Sequence, residues 1–181
     1  MKHIFIVNPA AGKSDRTAEY REMIDAAFAP RGLSYELLVS GAPGECRTLA
    51  RQAAQSGEEV RLYACGGDGT LNEVLNGITD FDRVRLGVIP TGSGNDFGRN
   101  LKLPKTPKES LKQICASIRK DQRGEELYRI DLGQVSWDGC DKPRIFGISA
   151  GLGLDALVCK KALHSRLKQV LNRFHLGKLT Y

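Results

Sequence analysis

The sequence has no long hydrophobic run, no paired cysteine motif and few aromatic residues: 1 Trp in 181 residues, and 7% aromatic side chains overall. A membrane-spanning helix needs about 20 consecutive apolar residues. The run Ile4-Phe5-Ile6-Val7 stops at Asn8-Pro9, too short for a span or for the core of a signal peptide. It reads as a first β-strand, and any membrane contact is expected to be peripheral. Cys46, Cys65, Cys115, Cys140 and Cys159 form no CxxC pair and no Cys/His ligand spacing. That argues against a disulfide framework or a zinc module and fits a cytoplasmic protein. His3, His164 and His175 have no sequence partners for a metal site or a catalytic triad. Aromatic residues do not alternate with basic ones as single-strand binding requires, so nucleic acid is not an expected partner.

What the chain does have is glycine, 20 residues concentrated in two clusters, and a net charge of +6. The charge favours anionic partners such as nucleotides or an acidic membrane surface. The length allows one complete domain and part of another.

Strand and helix patterns alternate through the first two-thirds. Ile4 to Val7, Leu33 to Val39, Val60 to Cys65 and Arg85 to Ile89 read as strands. Asp15 to Ala29, Gly44 to Gln55, Leu71 to Ile78 and Pro107 to Lys120 read as helices, the last with proline in its first turn. This order predicts an α/β fold, a parallel sheet sandwiched by helices, with ligands bound outside the carboxyl ends of the strands. The conspicuous loops, Asn8 to Ser14, Cys65 to Thr70 and Pro90 to Asp96, all fall there. The character changes near residue 125. Leu127 to Trp137 and Arg144 to Ile148 look like strands, followed by a helix through Arg173. The expected division is a nucleotide-binding domain over 1–125 and the start of an incomplete β-rich second domain over 126–181.

The first cluster is Gly66-Gly67-Asp68-Gly69-Thr70, followed by Leu71, Asn72 and Glu73. A phosphate needs several backbone N–H groups converging on one point, which side chains obstruct. Glycine clears that approach, and a following helix adds its N-terminal dipole. Asp68 is out of place beside phosphate unless a divalent cation or an abstractable proton lies between them, and kinases need both services. The alternative, a turn in which Asp68 merely caps a helix, is weaker for so dense a cluster. The second cluster, Pro90-Thr91-Gly92-Ser93-Gly94-Asn95-Asp96-Phe97, would by itself pass for an ordinary loop capped by Asn95 or Asp96; beside the first it gains meaning. Gly12-Lys13-Ser14 ends like a Walker A loop, but Val7 stands where its first glycine belongs. Nor is Gly92-Ser93-Gly94 a dinucleotide fingerprint, because Phe97 replaces the third glycine. Lys13 serves equally well as a phosphate contact or as a solvated lysine at a helix start.

Together the three loops resemble the diacylglycerol kinase catalytic-domain family, which includes sphingosine and ceramide kinases. Gly-Gly-Asp-Gly-Thr alone is shared with NAD kinases and phosphofructokinases; the later Gly-Ser-Gly-Asn-Asp-Phe element points to the lipid-kinase branch. The resemblance implies an NAD kinase/phosphofructokinase-like N-terminal domain and transfer of the γ-phosphoryl of ATP to a lipid hydroxyl, diacylglycerol first among acceptors, with Mg²⁺. By position it implies phosphate contacts from Gly66 to Asn72 and from Thr91. Nucleotide contacts from Asn8, Gly12 and Lys13 would join them, with Ser40 near the nucleoside. Glu73, Gly92, Ser93, Asn95 and Asp96 complete the expected binding set. Asp68 would organise Mg²⁺ through water or assist deprotonation. Ile145 to Ala156 resembles the family's passage into its second domain, with Gly147 where relatives carry a larger residue. Relatives supply a general-base carboxylate and a structural Mg²⁺ site further along, so the chain is expected to stop inside that domain. NAD or a sphingoid base as acceptor, and a non-catalytic nucleotide-binding module, remain as alternatives. The basic stretch Lys160 to Lys178 suits the solvated face of a helix better than an anionic membrane surface, and association of two copies is left open.

Overall fold

Alternation in the strands divides the interior into two layers. In the computed structural model, which describes residues 1–12, 14–55 and 57–164, β1 (Lys2–Val7) turns Ile4 and Ile6 to one side of the sheet and Phe5 and Val7 to the other. The strand β3 (Val60–Gly66) does the same with Leu62 and Ala64 against Tyr63 and Cys65. A strand buried on both faces reads as an apolar run, because its period-2 alternation separates two cores rather than core from water.

These two strands are the centre of a four-stranded sheet of order β2-β1-β3-β4, with β2 at Glu36–Val39 and β4 at Val84–Pro90. Every pairing in it is parallel, as the sequence predicts. Helices α1 (Thr17–Phe28) and α5 (Pro107–Gln122) cover the face of Phe5 and Tyr63. Helices α2 (Glu45–Ala54) and α3 (Asp68–Leu75) cover the face of Ile6 and Leu62. The chain leaves β1 towards β2 over one face and returns to β3, on the other side of β1, over the opposite face. The strand order therefore reverses between β1 and β3. Such a switch point opens a crevice outside the carboxyl ends of the two strands.

Several elements differ from expectation, β2 beginning at Glu36 rather than Leu33 and α3 ending at Leu75 rather than Ile78. Helix α3 starts at Asp68, not after Thr70, so the second half of the first glycine cluster is already helical. Within the stretch expected to be wholly loop lies a short helix, α4 (Asp96–Asn100). The region after residue 125 contains less strand than its sequence suggests. Among its described residues only β5 (Gly133–Val135) and β6 (Arg144–Phe146) pair, antiparallel, while Tyr128 is 84% exposed. Among the described residues the segment 127–132 has no partner strand against which to hold an extended form.

By contact the chain divides into two compact units, Met1–Gly147 and a second beginning at Ile148. Within the second unit the expected helix is described as α6 (Leu154–His164). Its expected continuation to Arg173, and the basic tail with His175, lie outside the described residues. No helix among the described residues is long and apolar enough to cross a membrane.

Candidate active site

The crevice at the switch point is bounded by the three loops singled out above. After β1, Asn8 donates its backbone N–H to the Cys65 carbonyl at 3.1 Å and its side-chain amide to Thr70 Oγ1 at 3.0 Å. Its own Oδ1 accepts the Ala10 N–H at 3.0 Å, closing a tight turn. Gly12 follows with φ +97°, a conformation suited to glycine, and a Cβ there would lie 3.2 Å from the Thr91 carbonyl oxygen. Lys13 lies outside the described residues.

At the end of β3, Thr70 is buried and folds back over Gly66, so that a Cβ on Gly66 would strike its side chain. Gly67 meets Gly92 of the second loop, and a Cβ on Gly67 would be 3.1 Å from the Gly92 Cα. Thr91 N–H bonds to the Gly66 carbonyl at 3.0 Å, continuing the β3–β4 ladder into the loops. Gly69 has no described residue within 4 Å of its would-be Cβ. Ser93 is exposed.

The second loop is held by Asn95, which accepts the Gly92 N–H at 2.9 Å and donates back to the Gly92 carbonyl at 2.7 Å. Asn95 itself sits at φ 54°, a left-handed position that asparagine tolerates better than most residues. Asp68 completes the closure. Its two carboxylate oxygens accept the backbone N–H groups of Asp96, at 3.0 Å, and Phe97, at 3.2 Å. The residue that opens α3 thus caps the first turn of α4, an acceptor where α4 has unsatisfied donors. Asp96 turns its own carboxylate to Arg99.

The remaining expected residues take supporting positions. Ser40 is buried at the end of β2, its N–H on the Val7 carbonyl at 2.9 Å. Glu73 accepts the Gly44 N–H at 3.0 Å, fixing the loop that follows β2. Leu71 is buried in the core, and its N–H bonds to the Gly67 carbonyl at 3.1 Å. Asn72 points towards β6, 3.4 Å from the Ile145 carbonyl.

Two further residues support the site that sequence reasoning did not single out. The Tyr20 hydroxyl reaches from α1 beneath the second loop and donates to Thr91 Oγ1 at 3.1 Å. Burial pushes its ionisation up to about 12, so it remains a donor at any physiological pH. Asn76, at the end of α3, grips the peptide of Ile145: Nδ2 donates to its carbonyl at 2.9 Å and Oδ1 accepts its N–H at 2.9 Å. In the sequence Tyr20 reads as one more apolar-face residue, and Asn76 falls inside the helix expected over Leu71 to Ile78. Neither carries a local signal.

The arrangement brings bare backbone and small hydroxyls from three strand ends to one crevice, beside the N-terminus of α3. Its chemistry suits a polyanion. Among the described residues no group of three or more His, Cys, Asp or Glu side chains could hold a metal ion unaided.

The family model described as the diacylglycerol kinase catalytic domain matches residues 2–124. A Bacillus subtilis (strain 168) protein, YtlR, which carries a lipid-kinase name, is 34% identical over 187 aligned positions, 100% of this chain and 57% of its own length. A diacylglycerol kinase of Staphylococcus aureus (strain MRSA252) is 42% identical over 102 residues, 55% of this chain and 31% of that one. Among solved structures, a diacylglycerol kinase from Bacillus anthracis str. Sterne superposes with a TM-score of 0.52 at 30% identity, covering 64% of this chain and 40% of the other. The chain thus spans little more than half the length of YtlR and less of the others. On the match over residues 2–124, the chain belongs to the diacylglycerol kinase catalytic-domain family.

Proposed function

We propose that this chain forms the ATP-binding part of a lipid kinase that transfers the γ-phosphoryl group of ATP to a lipid hydroxyl, with diacylglycerol the first acceptor to test. In this reading residues 1–125 bind the nucleotide and 126–181 begin a β-rich domain. The observation that carries the proposal is the Gly67–Gly92 contact, which joins the two glycine loops into one cradle at the β1/β3 crevice. The triphosphate lies over Gly69 and the first turn of α3, with Thr91 and the 92–95 backbone on its other side. In transfer, the lipid hydroxyl oxygen forms a bond to the γ-phosphorus as the bond to the ADP oxygen breaks, and the hydroxyl proton passes to water. Such a reaction needs positioning and charge neutralisation more than covalent help from the protein.

Mg²⁺ is the cation that kinases use to neutralise those phosphates, and it is held by one or two carboxylates together with phosphate oxygens and water. Asp68 fits a water-mediated share of that role: each of its oxygens accepts one N–H and retains a second lone pair. The same two bonds favour Asp68 as an organiser of the second loop over Asp68 as a proton acceptor. Asn8 and Tyr20 orient Thr70 and Thr91, while Glu73 and Ser40 support the loop expected near the nucleoside.

The test is a calorimetric titration of ATP with and without Mg²⁺, joined to a radiolabelled ATP assay over diacylglycerol, a sphingoid base and NAD. The assay includes the chain extended through its downstream coding frame. Saturable ATP binding and label in diacylglycerol are expected. No binding of ATP under either condition sinks the reading; label in NAD alone would move it to another kinase branch.

A further inference from the structure

A second cavity lies at the other end of the sheet. The 3₁₀ turn Ala29–Arg31 follows α1, whose last residue Phe28 packs edge-on against His3 at the start of β1, ring centroids 5.3 Å apart. Near the end of α5, Asp121 pairs with Arg61 at the start of β3. Between this turn and α5 is a pocket of about 460 Å³. It sits at the amino ends of the strands, roughly 20 Å from the glycine loops for strands of this length. Small-molecule sites fall in this size range.

Its floor is apolar, formed by Leu33, Cys115 and Ile118, and its rim carries Arg31, Arg119 and Gln122. Among the described residues no carboxylate lines it. Arg31 is tethered by Nη1 to the Ala27 carbonyl at 2.5 Å, which leaves its other donors for a ligand. Both guanidiniums also act on the Cys115 thiol, their positive charge opposing the upward push of burial. The acidic side chains of α5 are engaged elsewhere: Glu109 with Thr106, and Asp121 with Arg61. Exposed Lys112 is seven residues before Arg119 and extends the positive charge along the same helix face.

We propose that this pocket binds an amphiphile with an oxyanion head and a short apolar body. The planar forks of Arg31 and Arg119 match a phosphate or carboxylate, and the body covers Leu33, Cys115 and Ile118. An inorganic ion would leave the apolar floor wet, and a neutral amphiphile would leave both guanidiniums unpaired. The same head chemistry occurs on a bilayer lipid and on a free metabolite-sized amphiphile. This site does not depend on the kinase reading.

The test uses octyl phosphate below its micellar range, inorganic phosphate and octyl glucoside as calorimetric probes. Flotation on phosphatidylcholine vesicles with and without phosphatidylglycerol adds a bilayer arm. Two variants are compared with the unmodified chain: Arg31→Gln with Arg119→Gln, and Gln122→Glu, an exposed change that leaves the core intact. Octyl phosphate is expected to bind about ten-fold more tightly than either other probe, and each variant to weaken it about five-fold or more, with ATP binding unchanged. Equal octyl phosphate affinity in all three proteins overturns the proposal, as does inorganic phosphate binding equally well. Vesicle retention that Gln122→Glu abolishes supports the site with a bilayer source. Octyl phosphate binding without retention supports it with a soluble one.

Discussion

Gly92 and Gly67 meet backbone to backbone: a Cβ on Gly92 would lie 2.6 Å from the Gly67 Cα. No flexible side chain stands between them to give way. Gly92→Ala must therefore part the two loops, at a cost of about 1–3 kcal/mol. The expected result is a lower urea midpoint together with loss of ATP binding. An unaltered midpoint would show that the loops do not touch.

Gly69 is the counterpart. It has open space around its Cβ position and lies in the first turn of α3, where alanine is favoured over glycine by up to about 1 kcal/mol. Nothing among the described residues requires glycine there. Gly69→Ala is expected to leave thermal stability unchanged or higher while weakening ATP binding about ten-fold, because the methyl group occupies space claimed for phosphate. Calorimetry and a melting curve on the same sample separate the two effects.

Tyr20→Phe removes the donor to Thr91 without removing the ring. A hydrogen bond of this kind contributes about 1 kcal/mol, so ATP affinity should fall several-fold with little change in fold. Unchanged ATP affinity would mean that Tyr20 only packs.

His3 gives the fold a pH dependence. It is buried beside Tyr63, with Nδ1 and the tyrosine hydroxyl 2.8 Å apart. Burial, aided by the Arg61 charge, lowers its ionisation from 6.5 to about 4. Between those values the unfolded chain binds the proton and the folded chain does not, so stability rises with pH across that window and falls on acidification through it. The loss approaches about 3 kcal/mol by pH 4, at 1.4 kcal/mol per unit. Urea midpoints at pH 7 and pH 5 should differ, and His3→Leu should flatten the difference.

Asn76→Ala removes both bonds to Ile145. The cost should be about 1–3 kcal/mol, and the Ile145 amide should exchange faster with solvent while the β1 amides stay protected. Equal exchange at Ile145 would show that the hairpin is held by other means.

Most of the sheet was legible because buried parallel strands are short apolar runs, and the runs at Ile4 to Val7 and Val60 to Cys65 have no competing helical period. The glycine density at Gly66–Thr70 and Gly92–Gly94 made the crevice visible as well. Helix α4 stayed hidden because its five residues include Gly98 and follow a left-handed Asn95, which together resemble a loop. The bonds from Asp68 to Asp96 and Phe97 join residues 28 and 29 apart in the chain. They exist only after the sheet has brought β3 and β4 side by side, so no local pattern encodes them. Of the strand expected over Leu127 to Trp137 only Gly133–Val135 forms, for the related reason that β propensity needs a neighbour to satisfy it.

Helix α3 has a glycine loop at one end and the hairpin peptide at the other, through Asn76. Eight residues at 1.5 Å each make it a gauge about 12 Å long between glycine loop and hairpin. One residue inserted between Asn72 and Asn76 would swing the amide about 100° round the axis and off its target. The turn at residues 138–143 has no such grip at both ends and can change length freely. Evolution and engineering alike should find α3 fixed in length and that turn permissive.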